Sequence, residues 1–405
     1  MGMGVRALAV CAIVCVCADD AGAQGKVMTL ADALARAQTQ APQVVSARLA
    51  VEEARARLVG AAVRQGNPVL DAWLGNRSST SERFADFEVG VAQNLEPRAR
   101  RSARVAGAHA AIAQGTATVD EVTRTALHQT ADAFHRAIHA AERIRLLDAA
   151  FGLASSVYTA ADRRYRAGDI AVLDVNIARA SLARVRADRE AAEAAKSAAL
   201  GDLRQLLGLD GDVIVDGSLA PPAQAELGAA LASTAQHPEL RVLEAAIQEA
   251  DAERALGATF TKPEYGVGVR YSREEGDRVV LGGLTVNLPL FFNGQEQRAA
   301  GAARAARLRA DSEAARTRIA AEVRAAFEAY TRRLSAVRIL EADAMPGLDE
   351  NEQLTTRSFD AGQIGLPELL LIRREILDTR FQYLDALLEA ALARVDLDAS
   401  AAILR

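Results

Sequence analysis

The sequence predicts a mixed α and transmembrane β fold, in which long antiparallel coiled-coil helices are combined with four strands per chain. Residues 98–220 contain no proline, and their apolar side chains recur at alternating steps of three and four, the 3.5-residue period of a coiled-coil seam. Four short segments instead alternate apolar residues with polar or very small ones, which is typical of strands in a membrane barrel. These predicted strands lie at about 68–76, 86–95, 263–273 and 279–290.

The sequence contains an internal repeat, in which corresponding segments recur at an offset near 195 residues. The segment YRAGDI at 165–170 corresponds to FDAGQI at 359–364. Three further anchors built on proline or asparagine keep the same order in both halves. The chain is therefore predicted to consist of two structural repeats, 24–220 and 221–405.

Each repeat is expected to contain one very long helix that turns back on itself at a glycine. A helix from about 98 to 166 would span roughly 100 Å, which is far longer than a compact globule allows. Gly168 and Gly362 are predicted to form the hairpin tips between antiparallel helices. A shorter helix at about 40–66 supplies the length that the antiparallel partner lacks. The second repeat is expected to follow the same plan, with its long helix at 294–360.

The first 23 residues are predicted to be a signal peptide. Arg6 precedes an apolar run at 7–18, and the small residues 21–23 form a cleavage site before Gln24. All three cysteines lie inside this segment, so the mature chain is predicted to contain neither a disulfide nor a reactive thiol. Acylation of one of these cysteines stays open as an alternative, although none follows the usual Leu-small-small pattern.

Charge and motifs argue against several classes of function. The formal net charge is −5, and removing residues 1–23, with one Arg and two Asp, leaves −4. The arginines are spread among acids along the predicted helices, so no nucleic-acid partner is predicted. The sequence contains no nucleophile elbow, phosphate loop, metalloprotease helix or dinucleotide fingerprint. We therefore predict neither an enzyme nor a cofactor.

The predicted strands determine how this chain would enter a membrane. After residue 23 no run approaches the roughly 18 apolar residues that a membrane-spanning helix needs. Four strands cannot close around water, and open sheet edges are not viable in lipid, so several chains must share one barrel. Three copies would give 12 strands. Trp73 is expected either at a membrane interface or in ordinary packing.

Three phrases carry a resemblance to a known family. The tips YRAGD and FDAGQ are followed by VLDVNIARASL and LPELLLIRREI, and the phrase NLPLFFNGQEQRA joins a predicted strand to a helix. Together with the duplication, these phrases resemble the TolC family of outer-membrane efflux proteins along nearly the whole mature chain. The last phrase is most similar to the cobalt-zinc-cadmium resistance subfamily.

The resemblance implies a homotrimer with a shared 12-stranded barrel in outer-membrane lipid and a 12-helix tunnel across the periplasm. It also implies a tripartite efflux system with an inner-membrane pump and a periplasmic adaptor, and export of heavy-metal cations. Residues near 26–36 and 205–236 would form a belt around the tunnel. The alternatives are a channel for multidrug efflux or type I protein secretion, and a poreless coiled-coil protein of the envelope.

The hairpin tips are the predicted docking surface for the adaptor, since they lie farthest from the strands. The tip residues are Tyr165, Gly168, Asp169, Phe359, Gly362 and Gln363. Asp169 has two interpretations. It either caps the following helix or contributes to an acidic ring at the tunnel mouth that concentrates cations.

One stripe of the long helix combines imidazole and carboxylate side chains. His128, Asp132, His135 and His139 step by four, three and four residues, so they share one helix face. Two imidazoles at i and i+4 suit a divalent metal, which makes these four residues weak metal-contact candidates. The alternative is a solvated face of a helical tunnel.

Overall fold

The computed structural model describes residues 26–78, 83–274 and 277–404. The predicted signal peptide at 1–23 and the alternative of an acylated cysteine lie outside the described residues. Among the helices that are described, none is both long and apolar enough to cross a membrane.

Helices make up most of the described chain. Proline stands at the first position of two of them, where its missing N–H and fixed φ do no harm. The helices are α1 (Leu30–Gln40), α2 (Pro42–Ala62), α3 (Arg98–Arg166), α4 (Val172–Leu207), α5 (Leu227–Ser233), α6 (Pro238–Thr259), α7 (Gln295–Ile339), α8 (Met345–Asp360) and α9 (Leu366–Ser400).

The strands form two separate sheets. A small parallel pair joins β1 (Lys26–Met28) to β4 (Val213–Val215). The larger sheet is antiparallel throughout and has the order β2-β3-β5-β6. Its strands are β2 (Val69–Ser78), β3 (Arg83–Leu95), β5 (Glu264–Glu274) and β6 (Asp277–Asn287). Strands β2 and β6 are therefore the two edges of this sheet.

The 69-residue helix α3 is the central helix of the helical part, and four other long helices pack against it. At 1.5 Å per residue it is about 100 Å long, and both α2 and α4 pack along it. Helices α6 and α9 pack against α3 and against α7, so helices from both halves of the chain share one layered bundle. Side chains of the predicted seam are fully buried where the helices meet, as at Leu147, Val323 and Val337. Phe151 and Tyr165 of the same seam are exposed nearer the tip of α3.

The prediction of one continuous helix over 294–360 is wrong. Helix α7 ends at Ile339, a π-helical turn covers Leu340–Ala344, and α8 begins at Met345. The cause is Pro346, which stands in the first turn of α8. Proline has no N–H for the bond to the carbonyl four residues earlier, and its ring crowds that carbonyl, so the regular helix cannot continue through it. The wider turn accommodates this break.

A compact belt of small elements packs across the middle of α3. Met28 of β1 and Val213 of β4 join Phe134 of α3 and Leu203 and Leu207 of α4 in one buried cluster. On the other side α5 packs against α7, where the hydroxyl of buried Tyr330 donates a hydrogen bond to the carbonyl of Ala223. Met28, Leu207, Val213 and Ala223 lie in the 26–36 and 205–236 segments that the resemblance assigns to a belt.

Helices α6 and α7 approach each other unusually closely, and glycine makes this possible. A Cβ at Gly301 of α7 would lie 2.8 Å from the backbone N of Arg254 and 2.9 Å from the carbonyl oxygen of Ala250. A Cβ at Gly257 of α6 would lie 2.8 Å from the backbone N of Arg298. Backbone atoms cannot swing aside, so these positions require the smallest residue.

Candidate functional site

Each of the two helix hairpins turns at a glycine with left-handed backbone. Gly168 has φ +84° and Gly362 has φ +71°, a conformation that residues with a Cβ rarely adopt. The amides of Asp169 and Gln363 donate hydrogen bonds of 2.9 and 2.8 Å to carbonyls five residues earlier, which ends each helix in a Schellman-type turn. The same local chemistry thus forms both tips.

The two tips lie side by side at one end of the molecule. A single buried cluster combines Ala161 of α3, Val175 of α4 and Leu369 of α9, and Ile170 and Ile364 pack against it from the two turns. Because α3 runs without interruption from the end of β3 to this cluster, the tips lie at the end of the bundle opposite the larger sheet.

The tip residues predicted from the sequence differ in exposure. Phe359 is half-buried against the shared cluster, whereas Tyr165, Asp169 and Gln363 are exposed. The capping interpretation of Asp169 is wrong: α4 begins at Val172, its N-cap is Ala171, and no side chain caps it. The helix begins two residues later than that interpretation requires, so the Asp169 carboxylate does not reach its first amides.

The surroundings of Asp169 are basic as well as acidic. The last turn of α3 carries three arginines, and Arg166 forms an ion pair of 2.8 Å with Asp162. Arg163 and Arg164 form no ion pair within the described ranges. A ring of Asp169 carboxylates would therefore lie next to a larger number of guanidinium groups, which reduces the attraction for cations.

The histidine stripe on α3 is directed at two aspartates that the sequence analysis did not identify. Nε2 of His128 lies 2.8 Å from Oδ1 of Asp396, and Nε2 of His139 lies 2.6 Å from Oδ1 of Asp385. Both aspartates belong to α9. The two histidines are 11 residues apart on α3, and their partners are 11 residues apart on α9 in the opposite direction. The pairs therefore follow the antiparallel register of α3 and α9 and join the two halves of the chain. Only knowledge of that register would have identified these partners.

The other two members of the stripe have separate environments. Asp132 pairs with Arg136 one turn along the same helix at 2.7 Å. His135 is largely buried, and its Nδ1 has no hydrogen-bond partner. Burial lowers the pKa of His135, against the opposing charge of Asp132. Within the described parts of the chain, no three His, Cys, Asp or Glu side chains are grouped so that they could hold a metal.

His128, Asp132 and His139 nevertheless line one cleft of about 740 Å³ between α3, α4 and α9, together with several alanines and two leucines. The stripe therefore presents polar groups to a space that admits many water molecules, but their closest contacts are to Asp396, Arg136 and Asp385. This arrangement suits a helix face that hydrogen-bonds to a neighbouring helix better than a resident metal centre.

The larger sheet has one apolar and one polar face. Paired residues of an antiparallel sheet lie on the same face, and successive residues alternate between faces. The register therefore assigns most of the large aliphatic side chains and both tyrosines to one face. This apolar face comprises Leu70, Ala72, Leu74, Phe87, Val89, Val91, Tyr265, Val267, Val269, Tyr271, Val280, Leu284 and Val286.

The opposite face carries charge. Asp71, Glu88 and Arg270 share it, and Nε of Arg270 lies 2.8 Å from Oε1 of Glu88. Trp73 is paired with Glu88 and so also lies on this polar face, two-thirds exposed. Its position does not match that of an aromatic residue on the apolar face at a membrane interface.

Comparison with known proteins gives this arrangement a context. A family model described as outer membrane efflux protein matches residues 33–209. The cobalt-zinc-cadmium resistance protein CzcC of Cupriavidus metallidurans is 25% identical over 346 residues, which cover 82% of this chain and 78% of that protein.

Solved structures extend the likeness in fold to nearly the whole chain. A membrane protein from Pseudomonas aeruginosa superposes with a TM-score of 0.76 at 18% identity, covering 92% of this chain and 90% of that one. The CmeC outer membrane channel of Campylobacter jejuni gives a TM-score of 0.75 at 13% identity, covering 92% and 85%.

The family match and the long helices with few strands agree with the resemblance predicted from the tip and strand-to-helix phrases, which is thereby confirmed. Proteins of this kind act in transport and not in catalysis, and they combine an outer-membrane location with a large helical part in the periplasm. Residues 33–209 match the outer membrane efflux protein family, and the chain as a whole shares the fold of solved outer-membrane channels such as CmeC.

Proposed function

We propose that three copies of this chain form an outer-membrane channel, with a shared 12-stranded barrel continued by a 12-helix periplasmic tunnel. The four-stranded sheet is the observation that carries the proposal. One of its faces is apolar across all four strands as far as its loop end, where Arg273 and Arg278 lie, and this suits lipid. The other face bears Asp71, Glu88 and Arg270, as a water-filled interior requires.

The edges of the sheet support the shared barrel. Within the described residues β2 and β6 each pair on one side only. Strand β2 runs away from the helices and β6 runs back towards them, so β6 of one copy and β2 of the next are suited to continue the antiparallel order. Closing the ring removes every exposed backbone edge from the hydrocarbon. The proposal includes the division of the chain into repeats 24–220 and 221–405, each of which supplies two strands.

The cargo we propose is heavy-metal cations, exported together with an inner-membrane pump and a periplasmic adaptor. The support is the similarity to a cobalt-zinc-cadmium resistance protein and the NLPLFFNGQ phrase after β6. The adaptor would dock on the tips at 165–170 and 359–364, which expose polar and aromatic groups at the end remote from the sheet. In this role the histidine stripe offers weak polar contacts that release their solute, which suits conduction.

Two measurements test the assembly. Light scattering of the detergent-solubilised protein is expected to give the mass of a trimer, and a stable monomer with full strand content would contradict the shared barrel. Planar-bilayer recordings are expected to show discrete conductance steps. A trimer that conducts no ions would favour a poreless coiled-coil protein of the envelope.

A deletion strain tests the cargo. We expect it to lose tolerance to zinc, cobalt or cadmium, and to regain tolerance when the gene is restored. If metal tolerance is unchanged while sensitivity to dyes and antibiotics rises, the channel serves multidrug efflux. If only a secreted polypeptide fails to leave the cell, it serves type I secretion.

A further inference from the structure

A short apolar segment is exposed between β6 and α7. We refer to residues 288–292, Leu-Pro-Leu-Phe-Phe, as the apolar hook. Leu290 is 73% exposed and Phe291 is 92% exposed. No charged residue occurs from Val279 to Gln295, so the hook continues an uncharged stretch that begins in the strand. A group of large apolar side chains that protrudes in this way marks an interaction surface.

The hook is held in a defined conformation. Nε2 of Gln295 donates a hydrogen bond of 3.0 Å to the carbonyl of Phe291, and Oε1 of Gln295 accepts one of 2.9 Å from the amide of Asn293. Phe292 packs edge-on against Phe260, with ring centroids 5.6 Å apart. These contacts fix the base of the hook and leave Leu290 and Phe291 pointing away from the chain. A preorganised apolar surface loses little conformational entropy when it is covered.

The corresponding connection in the first half of the chain is different. There β3 passes to α3 through Glu96 and Pro97 only, and Glu96 is buried in an ion pair with Arg104. Arg104 also donates to the carbonyls of Ala61 and Val63. The side chains of the first connection are therefore satisfied by contacts within the same chain. Of the two connections, only the one beside edge strand β6 presents apolar side chains to a partner.

The opposite edge of the sheet carries a second apolar surface. Val59, Val63 and Val69, which we call the valine patch, lie at the end of α2 and the start of β2, and they are 68%, 59% and 59% exposed. Arg57 and Arg64 stand within the same stretch, and both are exposed. Because charged groups are costly in hydrocarbon, lipid is a poor cover for this patch.

The hook and the patch lie at the same level of the sheet. Asn287 pairs with Glu264, Tyr265 pairs with Leu95, and Ala92 pairs with Val69. If these pairings are extended by one or a few residues, Asn287 at the end of β6 is level with Glu264, then with Glu96, and then with Gln65, close to Val63. The two apolar surfaces therefore stand at equal height on opposite edges.

We propose that the apolar hook of one copy packs on the valine patch of the next copy around the ring. The inference rests on the proposed trimer, in which β6 of one copy pairs with β2 of its neighbour. It adds a side-chain contact outside the membrane to the backbone pairing inside it. The interface is head-to-tail, and the same contact recurs at every subunit boundary of a closed ring.

Engineered cysteines test the contact in the full chain. The sequence has cysteine only at positions 11, 15 and 17, so replacing these with serine leaves no thiol to interfere. The variant with Phe291→Cys and Val63→Cys is expected to yield covalent dimers and trimers with a short bis-maleimide on a denaturing gel. The matched control combines Phe291→Cys with Leu74→Cys, which is 91% exposed and lies eleven residues beyond Val63, inside β2. We expect this control to remain monomeric on the gel.

The outcomes separate the contact from the trimer itself. A second variant combines Phe291→Cys with Val59→Cys. If the protein is a trimer by light scattering and neither this variant nor the Val63→Cys variant cross-links, the contact is overturned and the channel proposal stays intact. A monomer in the same measurement overturns both. A third outcome uses Phe291→Trp in vesicles of brominated phosphatidylcholine: strong quenching of its fluorescence means that the hook lies in lipid, which also overturns the contact.

Discussion

The close approach of α6 and α7 gives a sharp test of the packing at Gly301. Replacement by alanine places a methyl group 2.8 to 3.1 Å from backbone atoms of Arg254 and Ala250, whereas ordinary contacts begin at 3.4 Å. The two helices must therefore separate by about 0.5 Å along this contact. Overpacking of this kind costs about 1–3 kcal/mol, and the upper half of that range applies because no flexible side chain can move aside. Alanine recovers about 1 kcal/mol through its better helix propensity. The net expectation is a loss of about 1–2 kcal/mol.

Gly152→Ala is the matched control. Gly152 lies inside α3, and a Cβ there would meet no atom within 4 Å. The same chemical change should therefore stabilise the chain by about 0.5–1 kcal/mol.

The assay is thermal unfolding of both variants and the unmodified protein in one detergent, followed by circular dichroism at a fixed scan rate, because unfolding of such an assembly is expected to be irreversible. Gly301→Ala should lower the apparent Tm by a few degrees and Gly152→Ala should raise it. If both variants raise the Tm equally, the close approach of α6 and α7 does not constrain the fold and the reasoning fails.

Three further predictions follow from the helical part. Burial and the charge of Arg124 lower the pKa of His237, whose Nδ1 accepts a hydrogen bond from the Glu239 amide at the start of α6. The unfolded chain therefore binds a proton at this histidine more readily than the folded chain does. The contribution of neutral His237 to the free energy of unfolding is complete above the ordinary histidine pKa of 6.5, and it is lost as pH falls below that value towards the lower pKa of the folded state. His237→Asn, which keeps a cap, should flatten the fall in Tm between about pH 7 and pH 5. Valine at Gly168 or Gly362 should abolish efflux while trimer and strand content persist, and normal export by these variants would remove the tips as the docking surface. Asp169→Asn should weaken cation selectivity and block by multivalent cations in bilayer recordings with unchanged Tm, since Asp169 caps no helix, and unchanged selectivity would exclude an acidic ring.

The sequence was most informative where local chemistry decides the structure. Helix α3 begins at Arg98, directly after a proline, and it ends before Gly168, whose positive φ requires glycine. Both ends could therefore be predicted from the positions of these two residues in the sequence. The break at Pro346 was missed because the apolar pattern continues through it. Leu348 is buried just as Leu334 and Val337 are, and periodicity alone does not distinguish a regular helix from a helix with a wider turn.

The candidate site shows the complementary limit. The stripe of His128 and His139 follows from helical spacing, but the partners of these residues lie more than 240 positions away on α9. Such contacts depend on the register between two helices of different repeats, which no local pattern encodes. For the same reason the sequence suggested that His135 and His139 act together, whereas the fold buries one and pairs the other with Asp385.

The π-helical turn before Pro346 makes the two hairpins mechanically unequal. On the path from sheet to tip, α3 is a single rod, whereas its counterpart consists of α7 and α8 joined at Leu340–Ala344. Three copies around an axis would alternate three unbroken struts with three jointed ones. A load applied at the tips by a docking partner would then be carried unchanged along α3, while the jointed struts would yield at a point about 20 residues from their own tips. Any change in the width of the mouth would begin there, with the continuous struts as its fixed frame.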